Sequence, residues 1–464
     1  MINSIQPISY RSIKQTQQIN SVPKTVYSKR ELLNLNNQVF YKNQISFGKN
    51  EPKLIKEYLK NREKRLRDTG IDYALLNAQD IKHLEGIQKG IKVFENLTMQ
   101  QIKFLAQSLS EIALQRGCNN MCSHCYAEAM PPSYQKSENK INKIDFEDFE
   151  NLCNGFKELN KRLGFNILES YPEAYITLFH DSDSSMIFLQ DKQGKTYDYL
   201  DLAKMLNDFA DKLIIFDTAG WNLQDKKTQK RMEELVKKAT KTDEYNFVIF
   251  NISANPFHSI YSKSVQQHLE NNKEKEQKFR EIYKNRMANV IFTLSPLIEK
   301  DNLHFIARAL PNELENVNGY KEDDLKKLYS EIIQKVKLLY EQDLESGNKK
   351  VIKTKEQINK YLQTLKSDFR DIDTDLSVTK RLSSIVTDSK TELCKNARRH
   401  YFNNPKFAAK IFKYGILDIN GKFYITNFYE IYKTDIQLNY INKNKKTAPI
   451  APELRKKTNN SRDV

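Results

Sequence analysis

The chain has 464 residues, 39% of them apolar and 29% charged, and a formal net charge of +16. That balance excludes a wholly disordered chain, and no apolar run approaches the about 18 residues that a membrane span needs. Five cysteines in so long a chain exclude a disulfide framework, and the length suits one large domain with additions, or two to three domains.

The charge is concentrated at the two ends. Residues 1–50 hold seven Lys/Arg against Glu31 alone, and residues 441–464 hold seven against Glu453 and Asp463. These ends therefore carry +6 and +5, leaving +5 for everything between. Both read as disordered basic segments, a leader and a tail. Nucleic-acid binding would call for a basic face with interleaved aromatics on a folded module. The sequence offers no such motif, so nucleic acid is not an expected partner. The N-terminus lacks the compact apolar core of a secretory signal. Clustered thiols in a chain poor in cysteine fit the reducing cytoplasm, away from membranes.

Residues 51–110 read as an N-terminal helical region. KLIKEYLKNREKRLRD (53–68) is charged and helical in pattern, and helices are expected over 79–91 and 98–108, with Thr98 as N-cap and Gln101 three residues on. From 111 the pattern changes to short apolar runs alternating with amphipathic stretches. Strands are predicted at EIALQRG (111–117), AYITLFH (174–180), LIIFDTAG (213–220), NFVIFNISANP (246–256), NVIFTLSP (289–296) and HFIARAL (304–310). Helices are predicted over 145–164, 199–212, 223–239 and 262–287. This alternation calls for an α/β fold with a parallel sheet and helical crossovers. Residues 311–440 form a C-terminal extension with a strong helix at 323–344, a helical region at 350–380 and a hairpin at GILDINGKFYITNF (415–428) turning at Asn420-Gly421.

RGCNNMCSHCYAEAM (116–130) holds three of the five cysteines, Cys118, Cys122 and Cys125, spaced C-x3-C-x2-C. Thiolates bind zinc or iron–sulfur clusters. Zinc would need a fourth ligand from His124, His180, Cys394 or another distant residue. A four-iron cluster would leave one iron open to a small molecule.

Cys118, Cys122 and Cys125 in this context resemble the motif of the radical S-adenosylmethionine enzymes, over residues 111–310. The resemblance implies a partial (β/α)6 TIM-like barrel and a 4Fe-4S cluster on the three cysteines. It also implies S-adenosylmethionine on the fourth iron and radical abstraction of a substrate hydrogen. It further implies an electron donor such as flavodoxin or ferredoxin. A faint likeness of Cys394 and the 415–428 hairpin to the family's SPASM or Twitch extension suggests a degenerate, cluster-free remnant and a peptide or protein substrate. Two alternatives stand beside this. One is a zinc-stabilised binding protein with basic tails, and the other a radical-SAM-like sensor without turnover.

The same resemblance assigns cofactor-binding candidates. His124 precedes the third cysteine, where the family often has an aromatic ring. The family's Gly-Gly-Glu at the end of the second strand is replaced by Phe179-His180-Asp181-Ser182-Asp183, so Asp181 or Asp183 would receive the methionine ammonium. Asn251, Ser253 and Asn255 alternate along one strand face, and Ser253 and Asn255 are assigned to the ribose hydroxyls. Asp217, Thr218, Trp221, His258 and Arg308 are further candidates near strand ends, while Cys153 falls on the apolar face of a predicted helix.

Overall fold

The computed structural model describes residues 78–118, 142–170, 175–179, 182–220, 225–254, 272–309, 322–347, 351–369, 372–374, 414–426 and 431–441. In chain order the elements are α1 (Ala78–Leu84), α2 (Met99–Ser108), β1 (Leu109–Ile112), β2 (Gln115–Arg116), β3 (Asn142–Lys143), α3 (Phe146–Leu163), β4 (Tyr175–Thr177), β5 (Leu189–Gln190) and β6 (Thr196–Tyr197). They continue as α4 (Tyr199–Ala210), β7 (Leu213–Thr218), α5 (Lys226–Lys241), β8 (Val248–Ser253), α6 (Lys273–Leu294), β9 (Leu303–Ala309), α7 (Glu322–Glu345), α8 (Lys355–Asp368), β10 (Ile372–Thr374), β11 (Tyr414–Leu417), β12 (Lys422–Thr426) and β13 (Ile431–Gln437).

Nine strands form one mixed sheet in the order β10-β9-β8-β7-β4-β1-β11-β12-β13. Every pair from β10 to β11 is parallel, and only the β11–β12 and β12–β13 pairs are antiparallel, so β12 alone runs against the rest. Consecutive parallel strands need a crossover, and α3, α4, α5, α6 and the α7–α8 pair supply one in each interval. β10 to β13, which lie in the C-terminal extension, are thus strands of the same sheet as β1.

Helix capping shows how local chemistry sets the boundaries. At α2 the Thr98 hydroxyl accepts from the Gln101 backbone amide at 3.2 Å, and the Gln101 side chain accepts from the Thr98 amide at 2.9 Å. Asp198 and Thr354 make the same reciprocal boxes at α4 and α8.

The helices cover one face of the sheet. Ile176, Ile214, Phe216, Phe250 and Ile252 project into a core shared with Phe149, Phe156, Tyr199 and Leu206 from the helices. The Tyr199 ring meets Phe216 edge-on, with centroids 4.9 Å apart. Close approach at the end of β7 demands a glycine. Gly220 has φ of 71°, and a Cβ there would lie 2.4 Å from a Val290 methyl of α6.

Residues 289–294, expected to begin a strand, instead complete α6, and 295–300 form a 3-10 segment. The apolar run is compatible with either structure. Tertiary packing selects the helix because Tyr283, Met287, Ile291 and Leu294 fall on one helical face and are all fully buried. The helical region expected at 350–380 contains α8 followed by β10.

Candidate functional site on the polar face of the sheet

In parallel strands, residues in register share a face, and side chains alternate along each strand. Glu111 of β1 pairs with Thr177 of β4, and Thr177 pairs with Ile215 of β7. Two residues beyond Ile215, Asp217 pairs with Asn251 of β8, and Asn251 pairs with His304 of β9. Ser253 follows Asn251 by two. Glu111, Thr177, Asp217, Asn251, Ser253 and His304 therefore belong to the face opposite the helix-covered core. Leu213, Ile215, Ile249 and Ile306 belong to that face too; all are buried yet stand outside the helix-packed core.

Burial differs along this polar row. Asn251 is 0% exposed, whereas Asp217, Ser253 and His304 around it are only partly buried. Among the described residues, neither the amide nitrogen nor the amide oxygen of Asn251 has a hydrogen-bond partner. A buried polar side chain in that state costs about 1–3 kcal/mol, so it marks a place where a ligand group or water would be held. His304 is kept neutral by burial, which lowers its pKa to about 4 against a weaker opposing effect of Asp301. The row thus lines up a carboxyl, an amide and a neutral imidazole on three adjacent strands. Such a set can bind a polar group from both sides, and the outer two can hold or move a proton.

The surrounding backbone is fixed from behind. Arg286 of α6 donates to the Ala219 carbonyl just past β7 at 3.0 Å, and the Tyr329 hydroxyl of α7 donates to the Ala254 carbonyl just past β8 at 2.6 Å. In β2, just past the end of β1, the fully buried Gln115 donates to the Ser182 hydroxyl at 2.5 Å and to the Gly117 carbonyl at 3.3 Å. Its amide oxygen is buried with no hydrogen-bond partner among the described residues. These are the C-terminal ends of parallel strands, where α/β sheets characteristically bind ligands.

Among the residues expected from sequence to form a site, Asp183 is buried, and its carboxylate accepts from the Ser185 amide at 2.9 Å, the Ser185 hydroxyl at 2.6 Å and the Ala219 amide at 2.9 Å. It braces two loops. Thr218 points to the opposite face from Asp217 and accepts from the Gly220 amide at 3.0 Å. Arg308 lies on β9, in register with Asp373. His124, Cys122, Cys125, Asp181, Trp221, Asn255, His258 and Cys394 lie outside the described residues. His304 and Gln115 were not singled out from sequence. The alternation of His304 with Ile306 was a usable signal for the first; nothing local marked the second.

The expected metal chemistry is corrected. Among the described residues, no group of three or more His, Cys, Asp or Glu side chains could hold a metal ion. Among the described residues, Cys118 and Cys153 form no disulfide. Cys153 lies in the helix-packed core, where burial pushes its thiol well above the ordinary range and keeps it protonated. A cluster requires several thiolates converging in space, and the described structure assembles no such set. Assignment to the radical S-adenosylmethionine enzymes is therefore withdrawn. With it go the 4Fe-4S cluster, the S-adenosylmethionine cofactor, radical catalysis and the zinc-stabilised alternative. The flavodoxin or ferredoxin donor and the peptide substrate rested on that chemistry alone.

No protein-family model matches the chain, and neither a curated protein nor a solved structure is significantly similar to it. The fold itself defines a mixed α/β protein with a mostly parallel sheet. Among the described residues, no helix is long and apolar enough to cross a membrane.

Proposed function

We propose that this protein binds a small polar, uncharged or amine-bearing molecule on the face of its parallel sheet opposite the helix-packed core. The observation that carries this reading is Asn251, fully buried with both amide atoms unsatisfied, between Asp217 and His304. Asn251 would offer one donor and one acceptor to the ligand. The carboxyl side of the row and the Gln115 oxygen at the neighbouring strand ends favour groups that donate hydrogen bonds, such as hydroxyls or amines. The neutral His304 would accept from the ligand or take up a proton.

The strands β1, β4, β7, β8, β9 and β10 follow one another in both sequence and space. That order supports a partial β/α barrel whose interior would be this polar face. The cytoplasm is the proposed compartment, in keeping with the absence of a disulfide between the two described cysteines.

The test is a thermal-shift screen of polyols, sugars, nucleosides and small amines, followed by calorimetry on the compounds that stabilise the protein. Wild type is compared with Asn251→Leu. Hydroxyl- or amine-bearing compounds should raise the melting temperature of wild type and leave the variant unmoved. The proposal fails if no compound of either class binds, or if the leucine variant binds as tightly as wild type.

A further inference from the structure

A second cluster lies apart from the polar row, where β3, the segment after the 3-10 turn Ser184–Met186, and α5 meet. Lys143 of β3 donates to the carbonyls of Met186 and Phe188, both at 3.1 Å, and its ammonium stands 3.4 Å from the centre of the Phe188 ring. The Arg231 guanidinium of α5 stands 4.3 Å from the centre of the same ring. Two cations thus share one phenyl ring.

Neither cation forms an ion pair among the described residues. Arg231 donates through one terminal nitrogen to the Thr228 hydroxyl at 3.1 Å, and among the described residues its buried Nε has no hydrogen-bond partner. The counter-charge acting on Arg231 is Asp225, just before α5, whose carboxylate also accepts from the Thr228 amide and hydroxyl, both at 2.9 Å. Burial and the neighbouring guanidinium bring the Lys143 amine down to about 8. Lys143, Phe188 and Arg231 are all only partly buried, so solutes can reach them. Like charges desolvated around one ring repel, and each cation–π contact offsets only about 0.5–2 kcal/mol of that cost. An oxyanion bound by both would add negative charge beside the pair and could take a guanidinium donor.

We propose that Lys143 and Arg231 form a binding site for a phosphate-type oxyanion, with Phe188 as its apolar floor. The site does not depend on the function assigned to the polar row. Free phosphate and a phosphate group on a larger metabolite share the recognising chemistry. Comparing inorganic phosphate with a phosphorylated sugar distinguishes these sources.

The experiment is pulse labelling of amines on the full-length protein across pH 7–10, read by mass spectrometry at Lys143, with Lys192 and Lys226 as internal controls. Sodium phosphate is compared with sodium chloride at equal ionic strength. Without phosphate, Lys143 should label with a midpoint near pH 8. Phosphate should slow its labelling several-fold at that pH and leave the controls unchanged. Arg231→Gln should abolish the phosphate protection. Where that variant does not fold, Arg231→Lys, which keeps the charge and loses the fork, should weaken it. Equal protection of Lys143 and the control lysines overturns the proposal. So does full protection of Lys143 in a folded Arg231→Gln protein.

Discussion

The Asp183 carboxylate and the Ala219 backbone amide are joined by a 2.9 Å hydrogen bond that ties the segment after β4 to the end of β7. The other carboxylate oxygen is taken by the Ser185 amide and hydroxyl. Asp183→Asn would turn one of these acceptors into an NH2 group facing an N–H donor, whichever way the amide is oriented. It should cost about 1–3 kcal/mol, measured by urea denaturation. Unchanged stability would show that these loops do not depend on the carboxylate.

Two groups shifted by desolvation give opposite pH dependences. Burial raises the Asp418 carboxyl from 3.8 to about 6. Between those values the folded protein keeps a proton that the unfolded chain has lost, so stability falls as pH rises through that window. His304 is lowered from 6.5 to about 4. Between those values the unfolded chain takes up a proton that the folded protein refuses, so stability falls as pH drops. Each effect is at most about 3 kcal/mol. Asp418→Asn should make the protein lose stability more steeply on acidification from pH 6.5 to 4 than wild type does. His304→Asn should make it gain stability, relative to wild type, over the same range. Denaturant midpoints measured at half-unit pH steps test both, and parallel curves for all three proteins would contradict the assignment.

Gly415 of β11 has no room for a side chain. A Cβ would lie 2.2 Å from the Phe423 ring and 2.7 Å from the Ser108 carbonyl oxygen. The ring could shift, but the backbone oxygen is held at the end of α2. Gly415→Ala should therefore destabilise by about 1–3 kcal/mol, read as a lower melting temperature. The double variant Gly415→Ala/Phe423→Leu should not recover wild-type stability, because the backbone contact remains.

Thr98→Ala breaks the capping box at α2 and should cost about 1 kcal/mol. Thr98→Ser, which keeps the hydroxyl acceptor, should restore most of it. Equilibrium unfolding of the three proteins checks this, and equal losses for alanine and serine would exclude the hydroxyl as the source.

Several features were legible in the sequence because they are local. The capping box at Thr98 depends on residues three apart, and α3 is amphipathic over its own length. Strands β4, β7, β8 and β9 are short apolar runs bounded by polar residues. Asn251 and Ser253 share a face by simple alternation. The three-cysteine motif was equally visible, but spacing along a chain states which groups could meet and leaves open whether they do. Metal binding is a property of convergence in space.

Tertiary structure alone decided the rest. The 289–294 run satisfies strand and helix patterns alike, and only the burial of Tyr283, Met287, Ile291 and Leu294 on one face made it the end of α6. Ile112 pairs with Leu417 across some three hundred residues, so the hairpin at 415–428 joins the sheet beside β1. The alignment of Asp217, Asn251 and His304 rests on register between β7, β8 and β9. A slip of one residue would send each side chain to the opposite face. Short-range periodicity writes the elements into the sequence, whereas register and strand order are settled by packing between distant residues.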